Sequence, residues 1–226
     1  MIEPHEPKLD PTDGEPSAAA GIRLRPLSPV PAQPGEHDGQ VRNVAAEHAV
    51  RDLLVALGED PDRPSLRETP RRVAASLTEL LTPVEFTSTT FPNDEGYDQL
   101  IIARDIEFAS LCEHHLLPFH GVAHVGYIPG QRIVGLSKLA RVVEMFARDL
   151  QVQERMTGQI ASWLDDELRP VGVGVVLEAE HTCMAMRGVR KPGAHTITSA
   201  LRGAVRTDAR TRQEFLSLAT RRAEEH

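Results

Sequence analysis

Cysteine is scarce in this chain, with two among 226 residues. A small secreted domain held together by disulfides would carry more of them. The first twenty residues are acidic and interrupted by proline, and they lack the apolar stretch of a secretory signal. We therefore expect a cytoplasmic protein, in which a disulfide is disfavoured because that compartment keeps thiols reduced.

Aromatic residues are also rare, at 4% of the chain, and the net charge is -8. General nucleic-acid binders are normally basic, and binders of single strands use aromatic stacking platforms. No apolar run reaches the roughly 18 residues that a membrane-spanning helix needs. The sequence thus predicts no nucleic-acid partner and no membrane span, but it leaves room for a local basic pocket that binds an anionic small molecule.

Both cysteines lie in short segments that are rich in histidine. Cys112 is followed by Glu113, His114 and His115, and the segment from His181 to Cys183 comes about seventy residues later. Thiolate sulfur and imidazole nitrogen are the ligands that zinc prefers. Cys112 and His115 are three residues apart, so one helical turn or a tight loop aims both at one point.

Cys183 can complete a set of three ligands, which leaves a tetrahedral position open for water as in a catalytic zinc site. His114 and His181 then remain beside the metal as candidates for proton transfer near neutral pH. Two inert buried thiols are the main alternative, because free cysteine packs as a small hydrophobic residue. Spacing alone does not decide between these interpretations.

The chain divides into three parts by composition. Residues 1–40 are rich in proline, and we expect a disordered tail because such a segment cannot bury enough apolar surface to offset its ordering entropy. Residues 41–98 form a helical region, whose first helix runs from Val41 until Gly58 ends it. Residues 99–226 form the main domain.

Hydrophobic periodicity predicts mixed elements in the main domain. Strands are predicted near residues 100–111, 121–127 and 172–179, with a further β-prone segment at 196–205. Helices are predicted near residues 136–149, 153–168 and 210–223, and the segment from Cys183 to Val189 is expected to extend the sheet. Antiparallel strands with helices on one side indicate an α+β fold.

Six ordered motifs carry a resemblance to a known family. They are Ser110–Phe119 (SLCEHHLLPF), Tyr127–Pro129 (YIP), Gly135–Arg141 (GLSKLAR), Gln151–Arg155 (QVQER), His181–Gly188 (HTCMAMRG) and Arg212–Leu216 (RQEFL). From about Val41 to Leu218 the chain closely resembles GTP cyclohydrolase I, the zinc enzyme that opens the pterin and folate pathway. Residues 1–40 are not covered.

The resemblance implies a tunnelling fold for the catalytic domain of residues 99–226, in which two long helices lie on one face of an antiparallel sheet. An N-terminal helical pair precedes this domain. The family typically assembles into a toroidal homodecamer of two pentamers, with active sites between subunits. Its reaction is the hydrolytic opening of the guanine imidazole ring of GTP, which releases formate and ends in 7,8-dihydroneopterin triphosphate.

The resemblance also assigns residues to roles. The zinc ligands match Cys112, His115 and Cys183, and the proton-transfer histidines match His114 and His181. Glu154 matches the carboxylate that grips the base through its N1 and exocyclic amine hydrogens. The remaining substrate contacts implied by the motifs are the triphosphate-binding cations Lys138, Arg141 and Arg187, together with Ser137 and Gln153 at the ribose or base.

Two other classes of function stay open at this point. A tunnelling-fold nitrile reductase would use a cysteine as nucleophile with a nicotinamide, although the chain has no recognisable glycine-rich dinucleotide turn. A zinc-stabilised scaffold or pterin-binding module would close its metal site with a fourth protein ligand.

Overall fold

The computed structural model describes residues 36–84 and 86–220. Two helices open this part of the chain, α1 (Glu36–Ala56) and α2 (Thr69–Leu80), and they pack against each other. Helix α1 begins five residues before the predicted boundary at Val41, so residues 36–40 belong to the helix and not to a tail. The rest of the predicted tail lies outside the described residues. Gly58 has a φ of 85° and follows the end of α1, as the sequence predicts for a glycine that terminates a helix.

The main domain alternates strands and helices. Its strands are β1 (Thr90–Pro92), β2 (Ile101–Cys112), β3 (Pro118–Ile128), β4 (Arg132–Val134), β5 (Leu150–Gln151), β6 (Gly172–His181) and β7 (His195–Arg202). Its helices are α3 (Leu136–Ala147), α4 (Gln153–Leu168), α5 (Thr182–Ala185), α6 (Gly203–Thr207) and α7 (Ala209–Thr220). Within the described residues, no helix is both long and apolar enough to cross a membrane.

Five strands form the main sheet in the order β5-β2-β3-β6-β7. The four long strands pair antiparallel, whereas the two-residue β5 pairs parallel with the end of β2, placing Gln151 opposite Cys112. Strands β1 and β4 form a separate pair. The fold is therefore a mixed α+β arrangement built on an antiparallel sheet, consistent with a tunnelling-type domain.

The core lies between one face of the sheet and helices α3 and α4. Alternate residues of β3 point into it, and Ala123, Val125 and Tyr127 are fully buried. Helix α3 contributes a stripe at three- and four-residue spacing, which includes Leu139, Val143 and Phe146, as its sequence predicts. Each such large side chain contributes roughly 1.5–3 kcal/mol through burial, so this layer dominates the stability of the domain.

The opposite face of the sheet is partly covered by α7. The Phe215 ring is completely buried there, against the backbone of Gly126 in β3 and Gly174 in β6. A Cβ atom on Gly174 would lie 2.6 Å from this ring, and one on Gly126 would lie 3.1 Å from it. Both glycines therefore make room for the aromatic side chain that fixes α7 to the sheet.

The prediction that the segment from Cys183 to Val189 extends the sheet is wrong. After His181 the chain turns into the short helix α5, in which Met186 N–H donates to the Thr182 carbonyl at 2.9 Å. Gly188 and Gly193 then adopt positive φ and return the chain to β7. Cys183 therefore lies in a short helix and does not continue strand β6.

We expect Gly174→Ala to destabilise the protein by about 1–3 kcal/mol, because the added methyl group meets the rigid Phe215 ring. Gly126→Ala should cost less because its contact is longer. Adding Phe215→Leu to Gly174→Ala should recover part of the loss, and thermal unfolding of the single and double variants measures this coupling. Strictly additive losses would contradict the packing described here.

Candidate metal centre and active site

A tight turn at the end of β2 arranges the first two candidate ligands. The carbonyl of Cys112 accepts hydrogen bonds from the backbone N–H groups of His115 at 3.2 Å and Leu116 at 2.9 Å. Leu116 has a φ of 54°, and the Leu117 carbonyl accepts from Cys112 N–H at 2.9 Å as the chain enters β3. The turn thereby places the side chains of Cys112 and His115 side by side.

Cys183 joins them from the end of β6. The sulfur atoms of Cys112 and Cys183 and a ring nitrogen of His115 all lie within 4.8 Å of one another, and both cysteines are free thiols. Cys112 Sγ is 3.7 Å from His115 Nδ1. Zinc–sulfur and zinc–nitrogen bonds of about 2.3 and 2.0 Å in a tetrahedron require a separation of about 3.5 Å between these donors. The three residues therefore fit a zinc ion in both chemistry and spacing.

The closeness of the two cysteine sulfurs also favours a bound cation, because two neighbouring thiolates repel each other unless a positive charge lies between them. The pKa of the Cys183 thiol is raised by burial first, and then by the charge of Cys112 and a hydrogen bond with it, while Arg187 opposes the shift. A metal ion reverses this balance because coordination deprotonates a thiol.

His114 and His181 differ in exposure and in the groups they contact. His114 Nδ1 is 3.8 Å from Cys112 Sγ, and the His114 side chain is 64% exposed. It does not belong to the group of mutually close donors. His181 is half-buried, and burial lowers its pKa while the nearby carboxylate of Glu154 acts in the opposite direction. Burial thus favours the neutral form of the His181 ring, and the charge of Glu154 favours the protonated form.

Gln153 differs from the expectation drawn from its motif. It was predicted to touch the ribose or base, but it is 1% exposed, and protein groups hold both ends of its amide. Its Oε1 lies 2.8 Å from His181 Nε2, and the two N–H hydrogens of its Nε2 share three acceptors, the Leu177 and Thr196 carbonyls and Thr198 Oγ1. A side chain this enclosed has no polar atom left for a substrate.

The predicted substrate residues of α3 lie away from the cluster within one chain. The cluster adjoins the start of β3, whereas Tyr127, near the other end of that strand, accepts a hydrogen bond from Val134 N–H just before α3. Helix α3 then runs back toward Gln151, so Ser137 and Lys138 lie in its first turn, away from the cluster, and Arg141 lies about midway along it. Lys138 Nζ lies 5.8 Å from the centre of the Phe86 ring, which in turn contacts Trp163 near the far end of α4.

Sequence reasoning missed two features that hold the site. The Phe119 ring is stacked on His181, with centroids 4.6 Å apart and planes 4° from parallel. Arg155 binds Glu113 of the ligand turn at 2.6 Å and Gln151 Oε1 at 3.1 Å, which ties that turn to α4. The motifs contain all of these residues, but their partnerships depend on strand register, which a motif does not reveal.

Comparison with known proteins agrees with this site. The sequence model of the family described as GTP cyclohydrolase I matches residues 46–220. The protein named GTP cyclohydrolase 1 of Mycolicibacterium vanbaalenii is 57% identical over 184 residues, covering 78% of this chain and 90% of the relative.

Two further relatives bear the same name. The Streptomyces coelicolor protein is 56% identical over 187 residues, with 80% of this chain and 92% of the relative covered. The Mycobacteroides abscessus protein is 55% identical over 195 residues, with 83% and 95% covered. This chain belongs to the GTP cyclohydrolase I family.

Proposed function

We propose that the chain hydrolyses GTP to 7,8-dihydroneopterin triphosphate and formate, with a zinc ion held by Cys112, His115 and Cys183. One observation supports this most strongly. In a member of the GTP cyclohydrolase I family, two thiols and one imidazole converge within 4.8 Å, two residues along the chain from the half-buried His181. When bound, zinc would act as a Lewis acid that makes water nucleophilic at neutral pH.

The chain's own residues bind the base and move protons. Glu154 stands in the first turn of α4 with its carboxylate exposed, and it can accept two parallel hydrogen bonds from guanine N1–H and the exocyclic amine. Adenine does not offer that pair of donors, so Glu154 selects the base. His181 and His114 exchange protons with the ring and ribose as the imidazole ring opens.

The triphosphate needs several converging cations. Arg187 follows Cys183 by four residues, whereas Lys138 and Arg141 lie in the first half of α3, which begins near the other end of β3. We propose that α3 of a neighbouring subunit supplies Ser137, Lys138 and Arg141, so that each active site forms between two subunits. Arginine adds planar, bidentate geometry to this grip, and lysine adds a compact charge.

The same arrangement supports the toroidal homodecamer of two pentamers. Strand β7 pairs only with β6 among the described strands, so its other edge has no strand partner within the described residues and can pair with another chain. Leu53 and Leu57 on and after α1 are 56% and 71% exposed, which suits burial against a second subunit.

Two free thiols also suit a reducing cytoplasm, and we propose that the protein is cytoplasmic.

The first test measures metal, formate and pterin on the purified protein. We expect about one zinc per chain and equal amounts of formate and fluorescent pterin from GTP, because three ligands define one site. Cys112→Ala and Cys183→Ala should lose metal and turnover together. Met184→Ala, which alters an exposed neighbour of Cys183 outside the donor group, should keep both. A metal-free, chelator-treated sample with full activity would contradict the proposal.

A second test separates the two adjacent histidines. His114→Ala should keep zinc and lose at least about a hundredfold in formate release, since general acid-base groups supply ~10²–10⁴-fold. His115→Ala should lose the metal itself, because its nitrogen belongs to the donor group. The assignment is reversed if zinc analysis finds His114→Ala empty and His115→Ala loaded.

A third test asks whether two subunits share a site. Cys183→Ala removes the cluster from one chain, and the double variant Lys138→Ala/Arg141→Ala removes the cations from another. Random co-assembly of the two should restore about a quarter of the sites, because intact clusters then meet intact α3 helices. The control is the same two proteins mixed after separate assembly, which should stay inactive. Coexpressed protein no more active than this mixture would show that one chain builds the whole site.

A further inference from the structure

The buried amide of Gln153 has a defined orientation. Its Nε2 end faces two backbone carbonyls, Leu177 O at 3.2 Å and Thr196 O at 2.9 Å. Carbonyl oxygens only accept hydrogen bonds, so the group facing them must be the NH₂ and not the amide oxygen. A flipped amide would place three oxygens together without a proton between them in a buried site, at the cost of an unsatisfied polar group.

The surrounding hydroxyls agree with this orientation. Gln153 Nε2 also donates to Thr198 Oγ1 at 3.1 Å. Thr157 Oγ1 donates to the Gln153 carbonyl at 2.7 Å, so in its 2.6 Å contact with Thr198 the hydroxyl of Thr198 is the donor. The two N–H hydrogens of Gln153 thus share three acceptors, and the hydroxyls of Thr157 and Thr198 both donate to groups other than the amide oxygen.

The orientation of the amide determines where His181 carries its proton. Gln153 Oε1 lies 2.8 Å from His181 Nε2, and an amide oxygen cannot donate. The contact is a hydrogen bond only if Nε2 carries hydrogen. In the neutral ring, Nδ1 is then the nitrogen with a free lone pair.

A second contact fixes the plane of the ring. Phe119 is fully buried and lies parallel to His181 at 4.6 Å, and Phe108 packs edge-on against Phe119 at 6.0 Å. Stacking alone allows the imidazole to rotate within its plane, whereas a hydrogen bond to one nitrogen prevents this. The two contacts together leave the ring one orientation.

We propose that Gln153 is a positioning residue that fixes the tautomer and orientation of His181, so that Nδ1 is the atom that accepts a proton from the substrate. This inference rests on the proposed function for its catalytic meaning, but the tautomer does not depend on activity. In many active sites a third group orients the general base, so that the base takes a proton from one defined atom of the reacting group. Gln153 would perform that task from the protein interior without touching GTP.

The test combines a spectrum with kinetics on the zinc-loaded protein. Solid-state ¹⁵N spectra of histidine-labelled protein, with the His181 signals assigned by their loss in His181→Asn, should show hydrogen on Nε2 and none on Nδ1. Gln153→Met has similar length but no acceptor, so its His181 should become a mixture of tautomers. We expect its kcat for formate release to fall at least about tenfold, part of the ~10²-fold or more that such a base supplies. Its KM for GTP should stay within about threefold, since Gln153 does not contact the substrate.

Tyr127→Phe is the matched control for the spectrum, because it removes one buried hydrogen bond, from Val134 N–H, at the opposite end of β3 from His181. It should lower thermal stability without changing the His181 spectrum. The inference is overturned if wild-type His181 carries its proton on Nδ1, if Gln153→Met keeps the wild-type kcat, or if only KM rises, which would mean that Gln153 reads the substrate. A wild-type protein that releases no formate would contradict the proposed function, and the spectrum would still test the tautomer.

Discussion

The site depends on the antiparallel pairing of β3 with both β2 and β6. Leu111 pairs with Pro118 on one side of β3, and Phe119 pairs with His181 on the other. These two pairings bring the C-terminal ends of β2 and β6 to the same end of the sheet, although about seventy residues separate Cys112 from Cys183. A one-residue slip in either pairing would turn the ligand side chains to the opposite face. The buried layer under α3 and α4 therefore fixes the metal centre by fixing the register.

The first turn of α4 adds the polar supports. Three successive residues serve three purposes because a helix points them about 100° apart. Gln153 points inward to His181, Glu154 is exposed, and Arg155 reaches back to Glu113 in the turn that holds Cys112 and His115. The parallel bridge between Gln151 and Cys112 places this first turn of α4 beside the cluster. A short motif thus connects the sheet, the turn that holds Cys112 and His115, and His181.

The sequence predicted the helices, the strands and the three candidate metal ligands more completely than the contacts between them. Helix α4 has the predicted bounds, and Cys112, His115 and Cys183 converge as their residue types and spacing indicated. The helix at Thr182–Ala185 was not predicted, because a short apolar segment reads equally well as strand. The burial of Gln153 was missed because its partners lie on β6 and β7. The separation of Lys138 from the cluster could not be predicted either, because the order of motifs along the chain does not say at which end of a sheet a helix begins.

The central claim is that two thiolates and one imidazole from these strand ends form an open metal centre. Zinc-edge X-ray absorption on the purified protein tests it most directly. The account predicts two sulfur neighbours at about 2.3 Å and two nitrogen or oxygen neighbours at about 2.0 Å, one from His115 and one from solvent. A shell without sulfur, or zinc bound by one sulfur alone, would contradict it.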